Sequence, residues 1–124
     1  MQLNHELPDY TYALRAADGH SAKVNDRVLR ASFVLAPNEL LEDWPVRESA
    51  SLMPEDFVPL LSMNPELILL GTGENQVFPS AAVMAACLTR GIGIEVMTNA
   101  AAARTFNVLA GEGRRVVAGF LLAP

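Results

Sequence analysis

From residue 50 onward the sequence alternates between segments with helical spacing and short runs that are apolar throughout. "MPEDFVPLLSMNP" opens with Pro54, carries two acids in its first turn, spaces Phe57, Leu60 and Leu61 for one helical face, and stops before Pro65. "ELILLG" is an apolar run of strand length that ends at a glycine. "SAAVMAACLTRG" predicts a helix with Gly91 just past its end, and "IGIEVMT" predicts a second strand. "TNAAAARTFNVLAG" predicts a third helix, with Thr98 or Asn99 as the N-cap and Gly111 beyond the C-terminus, and "RRVVAGFLLAP" supplies the last strand. Strands that are apolar on both sides and joined by helices need cover on both faces, which means a parallel sheet wound right-handed. The expected fold class is α/β.

The first fifty residues have a different rhythm. "YTYALRA" alternates, "ADGH" carries the Asp18-Gly19 hairpin pair, "SAKV" follows, "ND" turns again, and "RVLRASFVLAP" is a longer strand closed by Pro37. This part is expected to be an antiparallel meander. Trp44-Pro45 follows it, and the tryptophan is read as an anchor of its loop on the core. With 51% hydrophobic and 19% charged residues among 124, the whole chain, residues 1–124, is expected to be one domain. A chain of this size buries roughly two-thirds of its unfolded surface, enough for stability without disulfides. The single cysteine cannot form an internal bridge and suits a reducing compartment.

Acidity belongs to the first half, where residues 1 to 66 carry eleven acids and five bases; residues 67 to 124 carry three acids and four bases. A net charge of −5 with no basic run argues against nucleic acid as a partner. The densest acidic stretch, "ELLEDW" with Glu39, Glu42 and Asp43, is either a solvated loop or a docking surface for a basic protein. The opening "MQLNHELPDY" has neither a basic start nor an apolar segment, so it is not read as a secretory signal. The longest apolar run, "AAVMAACL", is far short of the roughly 20 residues that cross a bilayer. The expectation is a cytoplasmic protein that does not span a membrane.

Few residue patterns in the sequence point to chemistry. His5 and His20 fit no zinc pattern, so no metal site is expected, and no GxSxG elbow is present. Cys87 sits in an apolar helical run and is read as buried and inert. Gly71-Thr72-Gly73 lacks both the third glycine of a dinucleotide loop, where Gln76 stands, and the lysine of a P-loop, so no cofactor is expected. Two readings of the loop remain. Its glycines allow a tight reversal and close helix packing; or, with Thr98-Asn99 after the next strand, they edge a cleft where two helix starts meet a small anion, the site of a binding protein or, as the alternative, of an enzyme. Asn107, on the border of the third helix's apolar stripe, either ties that helix to the glycine loop or contributes to the same site. The candidate ligand-binding residues are therefore Gly71, Thr72, Gly73, Thr98, Asn99 and Asn107, with none assigned as catalytic. Glu95 interrupts an apolar strand and needs either a cationic partner or a sheet edge. The small side chains of "AAVMAAC" and "AAAAR" suit close helix packing, within the fold or across a self-association surface.

The order "PELILLGTG", a proline and a helix, "GIGIEVMTNAAAARTFNVL", then "EGRRVVAGFLLAP" resembles the Mth-domain family. The resemblance runs from about Tyr10 to the end, includes Trp44-Pro45, and is most specific from Glu66 to Phe120. The family groups small bacterial and archaeal proteins with a mitochondrial assembly factor for respiratory complex I. It implies a three-layer α/β domain: a central mixed sheet flanked by helices plus an N-terminal antiparallel β meander. For function it implies a non-enzymatic binding or assembly factor with a protein partner, and no catalytic motif to carry over.

Overall fold

The computed structural model describes residues 10–124, so the readings made of the opening segment and of His5 lie outside the described residues. Eight strands and three helices follow. β1 (Leu14–Ala17), β2 (Ala22–Val24) and β3 (Arg27–Leu29) pair antiparallel in sequence order as a small meander. β4 (Phe33–Ala36) and β5 (Glu39–Leu41) form a hairpin. A 3-10 turn at Pro54–Phe57 runs into α1 (Val58–Leu61). Then come β6 (Leu67–Gly71), α2 (Ala81–Leu88), β7 (Gly93–Met97), α3 (Asn99–Gly111) and β8 (Val116–Phe120).

The main sheet has the order β5-β4-β8-β6-β7. β6 pairs parallel with both β7 and β8, as the helix-strand alternation requires, while β8 pairs antiparallel with β4 and so joins the two halves of the chain. The runs that read as apolar throughout divide alternately between two cores. Phe33, Leu35, Leu69, Val116, Ala118 and Phe120 face α3 and the meander. Val34, Ile68, Leu70 and Val117 face Trp44, Phe57, Leu60, Val83 and Cys87. The architecture is the expected mixed three-layer α/β domain, with α1 and α2 on one face and α3 with the small sheet on the other. Phe33 and Phe120 stack across the β4–β8 pair with ring centroids 4.9 Å apart.

Three local expectations are corrected. "RVLRASFVLAP" is two strands in different sheets, because Ser32 leaves the ladder. Its carbonyl accepts the Trp44 N–H at 3.2 Å and its hydroxyl accepts the Leu122 N–H at 2.9 Å, which hands the chain from the meander to the main sheet. The meander therefore holds only the first three strands. The segment after Met53 is half 3-10 turn and half α-helix, with Pro59 in the first turn of α1, where a missing N–H costs nothing. Gly111 is the last residue of α3; Gly113, at φ 77°, takes the left-handed position two residues later.

Trp44 anchors its corner as expected. It is 3% exposed, its indole N–H donates to the Asp56 carbonyl at 2.9 Å, and it meets Phe57 edge-on. Its ring lies where a side chain on Gly119 would be: a Cβ there would come within 2.6 Å of the indole. Glu95 takes the edge explanation, being exposed on the outermost strand, β7.

Candidate functional site

β6 and β7 end side by side, and β8 ends next to β6, so the turns after them share one edge of the sheet. The loop after β6 is closed from within. Thr72 Oγ1 donates to the Asn75 carbonyl at 2.6 Å and accepts the Val77 N–H at 3.1 Å, while the Thr72 N–H extends the ladder to the Met97 carbonyl at 2.9 Å. Gln76 reaches across β7 and donates to the Val96 carbonyl at 2.8 Å. Gly73 adopts φ 96°, which a residue with a Cβ takes only under strain.

Asn99 is the knot of this edge. Thr98 is the N-cap of α3, its hydroxyl accepting the Ala101 N–H, and this frees the Asn99 side chain for other work. Asn99 Oδ1 accepts the Gly73 N–H at 3.1 Å, and the Asn99 N–H donates to the Gly73 carbonyl at 2.8 Å. Its Nδ2 donates to the carbonyls of Asp18 at 2.8 Å and Leu121 at 2.9 Å. One fully buried amide thus joins the meander turn, the glycine loop, the start of α3 and the segment after β8. Gly71 is glycine for the same reason: a Cβ there would collide with Asn99 Oδ1.

Beside this knot lies a recess of about 250 Å3 lined by His20, Arg47, Thr72, Gly73, Glu74 and neighbouring residues. His20 Nε2 and Glu74 Oε2 are 4.0 Å apart on its exposed rim. The Asp18 carboxyl accepts the backbone N–H groups of His20 and Ser21, both at 2.8 Å, and these hold it below the usual carboxylate range. The structure brings Gly71, Thr72, Gly73, Thr98 and Asn99 together. Asn107 stands apart: its Oδ1 accepts the Leu14 N–H at 3.0 Å and its Nδ2 donates to the Leu14 carbonyl at 2.7 Å, so it ties α3 to β1 and not to the glycine loop. Arg47 was not singled out in the sequence, and His20 was weighed only as a zinc ligand, because only the fold carries them to this edge; no spacing signals it.

Other candidates are placed elsewhere. Burial pushes the Cys87 thiol up, with Arg90 opposing it more weakly. At the opposite edge, Glu66 accepts the Arg115 N–H at 2.9 Å and faces Arg114 at 3.4 Å, which holds its carboxyl below the usual range. Among the described residues no group of three or more His, Cys, Asp or Glu side chains is placed to hold a metal, and no helix is long and apolar enough to cross a membrane.

The profile of a protein family of unknown function, DUF498/DUF598, matches residues 14–121. The chain belongs to the DUF498/DUF598 family. Its likeness to solved structures agrees: a Xanthomonas campestris protein is 62% identical with a TM-score of 0.84 over 98% of this chain and 92% of its own. A Bordetella pertussis protein described as a Mth938-like domain is 27% identical with a TM-score of 0.81 over 98% and 92%. Among curated relatives, the "13 kDa major membrane protein" of Francisella tularensis subsp. holarctica (strain LVS) is 37% identical over 72% of this chain and 68% of its own. The rat "NADH dehydrogenase (ubiquinone) 1 alpha subcomplex assembly factor 3" is 27% identical over 98% of this chain, which spans 65% of that protein's length. The resemblance to the Mth-domain family and its distant link to a complex I assembly factor are thereby established for this DUF498/DUF598 chain.

Proposed function

We propose that this protein is a non-enzymatic binding factor that works in the cytoplasm and helps assemble a multisubunit respiratory complex by holding a protein partner. The observation that carries the reading is α2. Residues Ala81–Leu88 include no charged side chain, yet Ala81, Ala82, Ala85 and Leu88 are exposed, and Phe78 just before them is 61% exposed. Val83 and Cys87 seat one face of α2 on the core, and a helix apolar on all sides is ordinarily covered on the other face too, so this outer face is read as a surface awaiting a partner. The polar side chains of the glycine edge add weight, since Thr72 and Asn99 are spent on holding the turns. The distant kinship with a named assembly factor supplies the kind of complex. In cells that lack the protein, assembled NADH dehydrogenase on native gels is expected to fall while its individual subunits remain; an unchanged level of the intact complex refutes the reading.

A second reading rests on Arg47, whose guanidinium lines the 250 Å3 recess beside Thr72 and Gly73, with the His20 imidazole and Glu74 on the same lining. The ligand there is a small anion, with Gly71, Thr98 and Asn99 building the turns that carry the recess. A thermal-shift screen of nucleotides, phosphorylated metabolites and organic acids then gives a stabilising hit that His20→Ala abolishes. No shift with any anion removes this reading.

A further inference from the structure

Around the Trp44-Pro45 corner lies a second recess, of about 420 Å3, within the range of small-ligand sites. Its charged side chains are Arg30, Arg47 and a single acid, Asp43, and Pro124 also lines it. Among side chains this is a local excess of positive charge in a chain of net charge −5. Neither arginine has a described carboxylate within 4.0 Å: the ion pairs of the described residues are His20 with Glu74, Arg27 with Glu42 and Arg114 with Glu66. Asp43 therefore leaves both guanidinium forks open.

The corner that carries them is fixed. Trp44 is pinned through its backbone N–H to the Ser32 carbonyl and through its indole to Asp56, and the Val46 N–H closes back on the Trp44 carbonyl at 2.8 Å. Ser32, 2% exposed, adds a donor: its oxygen accepts the Leu122 N–H, and its hydroxyl hydrogen has no described acceptor. Pro45, Val46 and Leu122 give the rest of the lining an apolar character. Two guanidiniums suit the planar or trigonal oxygens of a carboxylate or phosphate, which they grip with paired, charge-assisted hydrogen bonds.

We propose that this recess binds a small molecule with an oxyanion head, an organic acid or a phosphate ester. The head lies between Arg30 and Arg47 with the Ser32 hydroxyl as a third donor, and the apolar body lies against Pro45 and Val46. This site adjoins the glycine edge, with which it shares Arg47 but not Arg30 or Ser32, and is separate from the α2 surface.

The test is a titration of the isotope-labelled chain with phenyl phosphate, phthalate and inorganic phosphate, each at constant ionic strength set with sodium chloride. Saturable shifts are expected at the amides of Arg30, Ala31, Ser32, Val46, Arg47 and Leu122. Arg30→Gln and Arg47→Gln each weaken binding about tenfold or more, as loss of a charged hydrogen-bond pair implies, while Arg104→Gln on α3 leaves it unchanged. Tighter binding of phenyl phosphate assigns a phosphate ester, and tighter binding of phthalate an organic acid. The proposal is overturned if no probe gives a saturable shift, or if binding survives in a folded Arg30→Gln/Arg47→Gln double variant. Shifts confined to residues 19–20 and 72–75 overturn it as well, since they place the anion in the neighbouring recess.

Discussion

A single amide, that of Asn99, decides whether the carboxyl edge of the sheet holds together. Asn99→Ala leaves the Gly73 N–H and the Asp18 and Leu121 carbonyls without their partner; with about 1–3 kcal/mol for the buried Leu121 carbonyl and less for the two part-buried groups, the loss should reach about 2 kcal/mol or more in urea unfolding. Asn99→Asp should be nearly as damaging despite its matching shape, because a carboxylate cannot donate to two carbonyls. Equal stability of Asn99→Asp and the parent would contradict this account. Much of the setting was legible beforehand: glycines 71 and 73 announced a turn, and a polar pair at 98 and 99 announced a helix start. The knot itself was not, because Asn99 meets partners 81 and 22 residues away, and only the assembled sheet brings them within reach.

Between elements, the packing of strands and helices turns on a few close approaches. Gly119 lies near the end of β8 with the Trp44 ring where a Cβ would stand, so Gly119→Ala should cost about 1–3 kcal/mol through overpacking, measured as a lowered midpoint with an unchanged m-value. Asn107 fastens β1 to α3, and Asn107→Ala should speed hydrogen exchange at the Leu14 amide while leaving β6 and β8 protected. Glu66 links the starts of β6 and β8. Its folded-state pKa is depressed, so its contribution is present above the ordinary glutamate value, about 4.3, and disappears as pH falls through the lower folded-state value. Glu66→Gln should therefore flatten the acid limb of the stability–pH curve without changing its shape above about pH 6; an acid limb as steep as the parent's would count against the role. Periodicity exposed the alternation of helices and strands after residue 50, because each such element repeats locally. It could not expose β8 slipping between β4 and β6, or the break at residues 30–32, because strand order depends on long-range pairing and on hydrogen bonds from Trp44 and Leu122.

For the whole molecule, the two cores on either side of the main sheet make a stable body, and what remains for function is its surface: the uncharged α2 helix with Phe78 before it, and the arginine-lined recess. Composition foretold a core-forming chain and the helix–strand alternation its fold class; neither could say which apolar residues would be left outside, because Leu88 and Val83 read alike until the sheet decides which one it covers. The central claim is that the exposed apolar side chains of this helix bind a protein partner. It is tested most directly by affinity capture from native cells, comparing the parent protein with a Phe78→Asp/Leu88→Asp variant shown to unfold at the same temperature, and quantifying NADH dehydrogenase subunits in each. The account predicts that the parent enriches those subunits and that the variant loses about tenfold or more of the enrichment, as removal of a buried apolar anchor implies. Capture of the parent alone, or equal enrichment by parent and variant, would contradict it.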